Sequence, residues 1–336
     1  MSNAWADSML NVLWRDLSRR GLEDPSVRRQ CRADYVAACE YLVRERPGIG
    51  LITGFYIPTA NCWESDGPPG AIFLGRCLSR LGYPVCFYAE FDLADILRYA
   101  LALCGEAVPV VTYPPAETCA AWWQQERRRF NDREVCLVVI ERPGPAHTPD
   151  SVLAQCGDER RIRDFLAMVP ASNWDRLHTM SGQDVTEYHW PVHHWLEKSQ
   201  ARVLAIGDGG NEIGMGKLLW DGIARNVFHG ARIACRIPAD WLIVSSVSNW
   251  GAYAVATGIC HLCGATQILA DLAQPDLEKQ LWQEVCQRYC LCDGVTGQPA
   301  CRGEDFSIDG QPWQVHASVL EAIISALRAD HHPSSC

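Results

Sequence analysis

Two stretches of this 336-residue chain concentrate side chains that can do chemistry. Gly207 to Lys217 reads GDGGNEIGMGK and sets Asp208, Asn211 and Glu212 among bare backbone. Carboxylates there supply hard oxygen ligands or proton acceptors, and glycines let backbone N–H groups approach a ligand. Such a loop suits an anion, or a cation bridging to one. Thr53 to Ala71 reads TGFYIPTANCWESDGPPGA and carries Thr53, Asn61, Glu64 and Asp66 ahead of a helix that starts near Pro68. Asp66 has a plainer alternative as the N-cap of that helix, and glycines can simply make tight turns. Nucleotide motifs fail. A P-loop ending at Gly216-Lys217 needs Gly where Asn211 stands and Ser or Thr where Leu218 stands, and a dinucleotide pattern from Gly207 needs Gly at Glu212. No nucleotide is expected.

Other reactive side chains read as structural. His189 and His193 are four apart, but Pro191 between them breaks a shared helical face, so they and His194 are expected as surface or loop residues rather than ligands. Cys260 and Cys263 form a C-x-x-C followed by Cys286, Cys290, Cys292 and Cys301, yet the later spacing is irregular, and buried thiols are favoured over zinc. Asn249 stands where a helix begins and either caps it or offers its amide to a substrate.

The elements that must position these residues alternate. A helical section comes first: Trp5 to Arg19, with Trp5, Met9, Val12, Leu13 and Leu17 on one face, then a helix from Asp24-Pro25. Apolar runs follow at LITGFYI (Leu51 to Ile57), YPVCFYA (Tyr83 to Ala89), VPVVTY (Val108 to Tyr113), VCLVVIE (Val135 to Glu141), RVLAIGD (Arg202 to Asp208) and WLIVSS (Trp241 to Ser246), separated mostly by helical stripes. This pattern predicts an α/β fold with a doubly wound, mostly parallel sheet flanked by helices, plus a helical N-terminal addition. Residues 142–190 lack sustained periodicity and are expected as an excursion over the active face. Ligands in such folds sit beyond the carboxyl ends of the strands, where both polar loops fall.

Composition narrows the function. Thirty Lys plus Arg against forty Asp plus Glu leave −10, a surface that repels nucleic acid. Seventeen scattered cysteines suit a reducing compartment. The N-terminus lacks a secretory pattern and the most apolar window, Gly251 to Ala265, is too short to span a membrane. A cytoplasmic protein without a membrane partner is expected.

ITGFYIP, ESDGPPGA, IERPG (Ile140 to Gly144), HTMSGQDVT (His178 to Thr186), GDGGNEIGMGK and VSNWGAYA (Val247 to Ala254) follow one another as in the D-glutamate cyclase C-terminal-like family, which the chain resembles over roughly residues 45 to 325. Ser65 stands where the family usually has Thr, and Lys217 where it usually has Asn. The resemblance implies an N-terminal addition over 1–46, a cyclase-like domain over 47–330, and cyclisation of D-glutamate or a related acidic amino acid to 5-oxo-D-proline with loss of water. The alternative is a non-catalytic subunit that binds a small carboxylate or phosphate. A homodimer or a hydro-lyase-like partner protein is the expected assembly. The implied catalytic residues are Glu64, Asp66, Asp208 and Glu212, with a divalent cation, Mg or Mn, on Asp208, Glu212 and Asp66. Thr53, Asn61, Arg142, Gly209, Gly210, Asn211 and Asn249 would bind substrate, with Arg142 as the α-carboxylate clamp.

Overall fold

The computed structural model describes residues 4–15, 20, 24–131 and 133–329. Six apolar runs form one sheet: β1 (Gly48–Thr53), β2 (Val85–Ala89), β3 (Val110–Thr112), β4 (Val135–Ile140), β5 (Arg202–Gly207) and β6 (Trp241–Val244). All neighbouring pairs are parallel, in the order β3-β2-β1-β4-β5-β6. The chain thus enters at the centre, winds to one edge, returns and winds to the other. Between β1 and β4 the winding reverses, which opens a crevice beyond their carboxyl ends.

Both faces of the sheet are covered, so its strands are apolar at consecutive positions. Cys136, Val138 and Ile140 of β4 join a core with the helices Pro68–Arg80 and Ser248–Cys263. Val135, Leu137 and Val139 point the other way, into a core with Phe165 and Trp195 from the helices Glu159–Met168 and Val192–Ser199. The expected doubly wound architecture is present.

Local departures have identifiable causes. The run Leu51 to Ile57 is not one strand: Gly54, at φ +105°, turns the chain after Thr53. Tyr56–Ile57 then pairs antiparallel with Cys62–Glu64, which pairs parallel with Leu291–Cys292. Residues 142–190 contain two short helices, Pro149–Cys156 and Glu159–Met168; capping starts them, through the Thr148–Ser151 box and Asp158. The helix Ala4–Leu13 bears Trp5, Met9, Val12 and Leu13 as expected, while Leu17 lies outside the described residues. Pro25–Glu45 is capped by Asp24. Its Asp34 accepts from the Leu242 N–H at 2.9 Å and pairs with Lys217 at 2.8 Å, so the Lys217 substitution braces this helix against the sheet. Among the described residues no helix is long and apolar enough to cross a membrane.

The helix Pro68–Arg80 approaches the sheet closely at Gly75, where an added Cβ would lie 2.5 Å from Phe87 and 3.0 Å from Leu51. Overpacking predicts that Gly75→Val loses about 1–3 kcal/mol in thermal or denaturant unfolding. Gly222→Ala, with nothing within 4 Å of the new methyl group, is the matched control and should unfold no earlier than the parent chain.

Candidate active site

The strands at the reversal deliver acidic residues to one place. Glu141 follows β4 in a left-handed conformation, φ 44°, and Asp208 follows β5. Asp66 arrives from the loop ahead of the helix Pro68–Arg80. One oxygen from each of Asp66, Glu141 and Asp208 lies within 4.8 Å of the others, and all three residues are buried. They line a cleft of about 490 Å³ together with Glu64, Asp309 and Arg20.

Two helix N-termini meet beside this cluster, each capped by a side chain of the other segment. The Asp66 carboxylate accepts from the backbone N–H of Ser248 at 2.8 Å and of Asn249 at 2.9 Å, at the start of Ser248–Cys263. It also accepts from Gly67 N–H at 2.9 Å. Asn249 reciprocates: its Oδ1 accepts from Gly67 at 3.0 Å and Gly70 at 2.7 Å, at the start of Pro68–Arg80. Its Nδ2 donates to the Ser65 carbonyl at 3.1 Å. Asp66 therefore caps a helix, but a distant one, and Asn249 has its amide engaged within the protein. The Ser248 hydroxyl donates to Glu141 at 2.6 Å. Both helices turn the positive ends of their dipoles toward the acids.

That compensation is partial. Burial pushes the Glu141 carboxyl well above its usual range, and the neighbouring Asp208 and Glu212 push it further. Burial, then Asp66 and Asp309, do the same to Glu64. Asp208 is raised by burial against the opposing pull of Arg20. Asp66 is pushed up to about 7 by burial and Asp309, while its backbone hydrogen bonds hold it down. Arg20 bridges Asp208 and Asp309, at 2.6 Å to each. Buried carboxylates this crowded suit a cation: the triad Asp66, Glu141 and Asp208 could hold a metal ion through hard oxygens. Two buried acceptors on the cleft, Glu64 Oε1 and Asn211 Oδ1, have no hydrogen-bond partner among the described residues.

The remaining sequence candidates divide. Glu64, Asp66, Asp208 and Asn211 line the cleft. The glycine loop is braced from within: the Glu212 carboxylate accepts from the N–H groups of Asp208 at 3.2 Å, Gly209 at 2.6 Å and Gly210 at 2.8 Å. This corrects the expected roles of Glu212, Gly209 and Gly210, because the loop's donors and the carboxylate's acceptors satisfy one another. Arg142 is corrected too. Its side chain is fully buried, forked onto Glu90 and bonded to the Trp190 carbonyl at 3.0 Å, away from the cleft. Thr53 is buried behind Gly67, and Asn61 is exposed, accepting from the Tyr56 hydroxyl at 2.8 Å.

His189 and His193 are buried rather than at the surface, His189 accepting from the Tyr56 N–H at 3.2 Å. Cys260 lies in the core 3.4 Å from Cys77, and Cys263 is exposed. Ser65 keeps a use for its hydroxyl, donating to the Ser307 carbonyl at 2.9 Å.

Three cleft residues escaped the sequence candidates. Glu141 had a usable signal, an acidic residue directly after a central parallel strand, but its neighbour Arg142 drew the assignment. Asp309 lies in a tight turn, φ 49°, between the strands Asp305–Ile308 and Gln311–Pro312, and Arg20 lies upstream of the whole sheet. Nothing in their local pattern marks them.

Fold and cleft together define an α/β protein with a buried carboxylate centre at its topological switch point. The chain belongs to the D-glutamate cyclase-like, C-terminal family, whose model matches residues 11–152 and 169–324. It is 48% identical over 298 residues to the mitochondrial D-glutamate cyclase of Homo sapiens, an alignment covering 79% of this chain and 43% of that relative. The chain thus spans less than half of the relative's length.

Two predictions follow from the electrostatics and the caps. Because the folded state raises Asp66 from 3.8 to about 7, the folded protein binds the proton more tightly than the unfolded chain, and this contribution is lost as pH rises between those values. The melting temperature of the parent chain relative to Asp66→Asn should therefore fall from pH 4 toward pH 7; a rise over that interval would contradict the assignment. Asn249→Ala strands the buried N–H group of Gly70, while Gly67 keeps its bond to Asp66, and should cost about 1–3 kcal/mol in unfolding experiments.

Proposed function

We propose that this chain is a lyase of the D-glutamate cyclase type, closing D-glutamate or a closely related acidic amino acid to 5-oxo-D-proline. One observation carries the reading: the cleft sets a buried carboxylate triad suited to a cation beside Glu64, an acid with a free acceptor oxygen and a raised pKa. Family membership and the name of the human relative supply the substrate class.

In the reaction, the substrate's amine attacks its own γ-carboxyl carbon, a C–N bond forms, and a C–O bond breaks to release water. Two protons must pass from nitrogen to the departing oxygen. Glu64 is suited to carry them, since a raised pKa favours a base that takes a proton from the ammonium and returns it to the leaving group. Asp66, Glu141 and Asp208 would hold a divalent cation, Mg or Mn, which supplies charge to offset the γ-carboxylate and make its carbon open to attack. Asp66 also fixes the two helix N-termini, and Ser248 orients Glu141. Asn211, also on the cleft wall, has an Oδ1 without a hydrogen-bond partner among the described residues and would accept a hydrogen bond from the substrate's nitrogen.

No observation favours the alternative of a non-catalytic binding subunit. For the compartment, we retain a reducing interior as a proposal, since the described cysteines are all free thiols.

The purified chain incubated with D-glutamate and Mn or Mg should yield 5-oxo-D-proline by chiral chromatography. Dialysis against a chelator should stop turnover and re-addition of the cation restore it. Asp208→Asn should abolish the reaction with the fold intact, and Glu64→Gln should lower kcat by about 10²–10⁴-fold. Near-parental cyclisation by Asp208→Asn would remove that residue from the mechanism.

A further inference from the structure

Three thiols crowd behind the cleft wall. Cys62 stands two residues ahead of Glu64, while Cys290 and Cys292 belong to the segment that pairs with it. In that small sheet Trp63 faces Leu291 and Glu64 faces Cys292 in parallel register. Side chains alternate along a strand, so Cys62, Glu64, Cys290 and Cys292 fall on one face. Cys62 and Cys292 pack in one buried cluster with Phe55 and Ile57, which line the cleft. The Cys62 thiol is hydrogen-bonded to those of Cys292 and Cys290. Cys290 is exposed, whereas the other two are buried.

We infer that Cys62 and Cys290 form a thiol–disulfide exchange site through which oxidation alters the cleft wall at Glu64. The site stands apart from the cyclase reading; only its effect on turnover rests on that reading. Continued by one step, the register sets Cys290 opposite Cys62 at an inter-strand spacing of about 4.8 Å, within the range a disulfide spans. Cys292 lies two residues further along and serves Cys62 as a hydrogen-bond donor. Its bond, joined by that of Cys290, outweighs burial and holds the Cys62 thiol below the ordinary thiol range, which makes a ready nucleophile. Cys77 and Cys260 are also close, at 3.4 Å, but both are fully buried and out of reach of a dissolved oxidant.

The co-reactant is a small dissolved disulfide. The exposed Cys290 thiolate attacks one of its sulfurs, releases one thiolate and keeps the other half as a mixed disulfide. The Cys62 thiolate then attacks the Cys290 sulfur and expels the second thiolate. Both cysteines are oxidised, the small disulfide is reduced to two thiols, and the protons lost by the cysteines end on those thiols. The new bond ties the strand Cys62–Glu64 to the segment that runs into residues 294–297, and Glu64 and those four residues all line the cleft.

The parent chain, Cys62→Ser and Cys290→Ser are incubated with glutathione disulfide, alkylated, and mapped by mass spectrometry without reduction. Hydrogen exchange is followed at residues 62–66 and 290–297. The parent should lose both free thiols to a Cys62–Cys290 bond, with slower exchange in both segments, and dithiothreitol should reverse both changes. Cys62→Ser should stop at the mixed disulfide on Cys290, since the resolving thiol is gone. Cys290→Ser should keep Cys62 as a free thiol. A parent chain that holds glutathione on Cys290 while Cys62 stays free overturns the site, and a bond that leaves exchange beside Glu64 unchanged overturns its hold on the cleft wall. Cyclisation of D-glutamate, measured alongside, should fall in the oxidised parent and not in treated Cys290→Ser; unchanged turnover in an oxidised parent overturns control of the reaction. A parent chain that cyclises in neither state defeats the cyclase reading, and the mapping and exchange still decide the thiol site.

Discussion

Carboxylates taken out of water must be met by hydrogen bonds or positive charge, and this fold gathers Glu64, Asp66, Glu141, Asp208 and Asp309 around one cleft. The arrangement depends on how that demand is met. Asp66 is neutralised in part by two helix N-termini, Glu141 by the Ser248 hydroxyl, and Asp208 and Asp309 by a shared arginine. What remains uncompensated shows as carboxyl groups that resist ionisation. Three of these acids, Asp66, Glu141 and Asp208, lie close enough together that they could hold a metal ion.

The reciprocal capping between Asp66 and Asn249 gives the site its rigidity. Helices Pro68–Arg80 and Ser248–Cys263 pack against each other on one face of the sheet, and each uses the other's loop to satisfy its first N–H groups. Neither helix can shift without exposing donors that have no other partner. Across the cleft, the glycine loop closes on Glu212, which fixes the backbone around Asp208. Glycines there permit a tight wrap around an internal carboxylate, a different use of bare backbone from cradling a ligand.

Much of the architecture was legible because parallel strands buried on both faces must be apolar throughout, and six such runs stand out between helical stripes. Runs interrupted by one special residue misled, as at Gly54, where a single left-handed position converts one expected strand into two. The short helices in 142–190 carry too few turns for a periodic signal and are set by caps. In the site, Glu64, Asp66, Asp208 and Asn211 could be found from polar residues after apolar runs. Arg142 and Glu212 shared that pattern, yet their side chains are consumed by Glu90 and by loop N–H groups.

The amino-acid sequence by itself determined the family, the wound sheet and the two loops that bring Asp66 and Asp208 to the cleft, since local patterning and contiguous motifs encode those. Only the tertiary structure decided which oxygens remain available. A carboxylate's free valence depends on its neighbours in space, and those neighbours are remote along the chain: Asp66 meets Asn249 across 183 residues, and Arg20 reaches Asp309 across 289. No local window holds both members of such a pair, so the charge balance of the cleft exists only once the fold has closed.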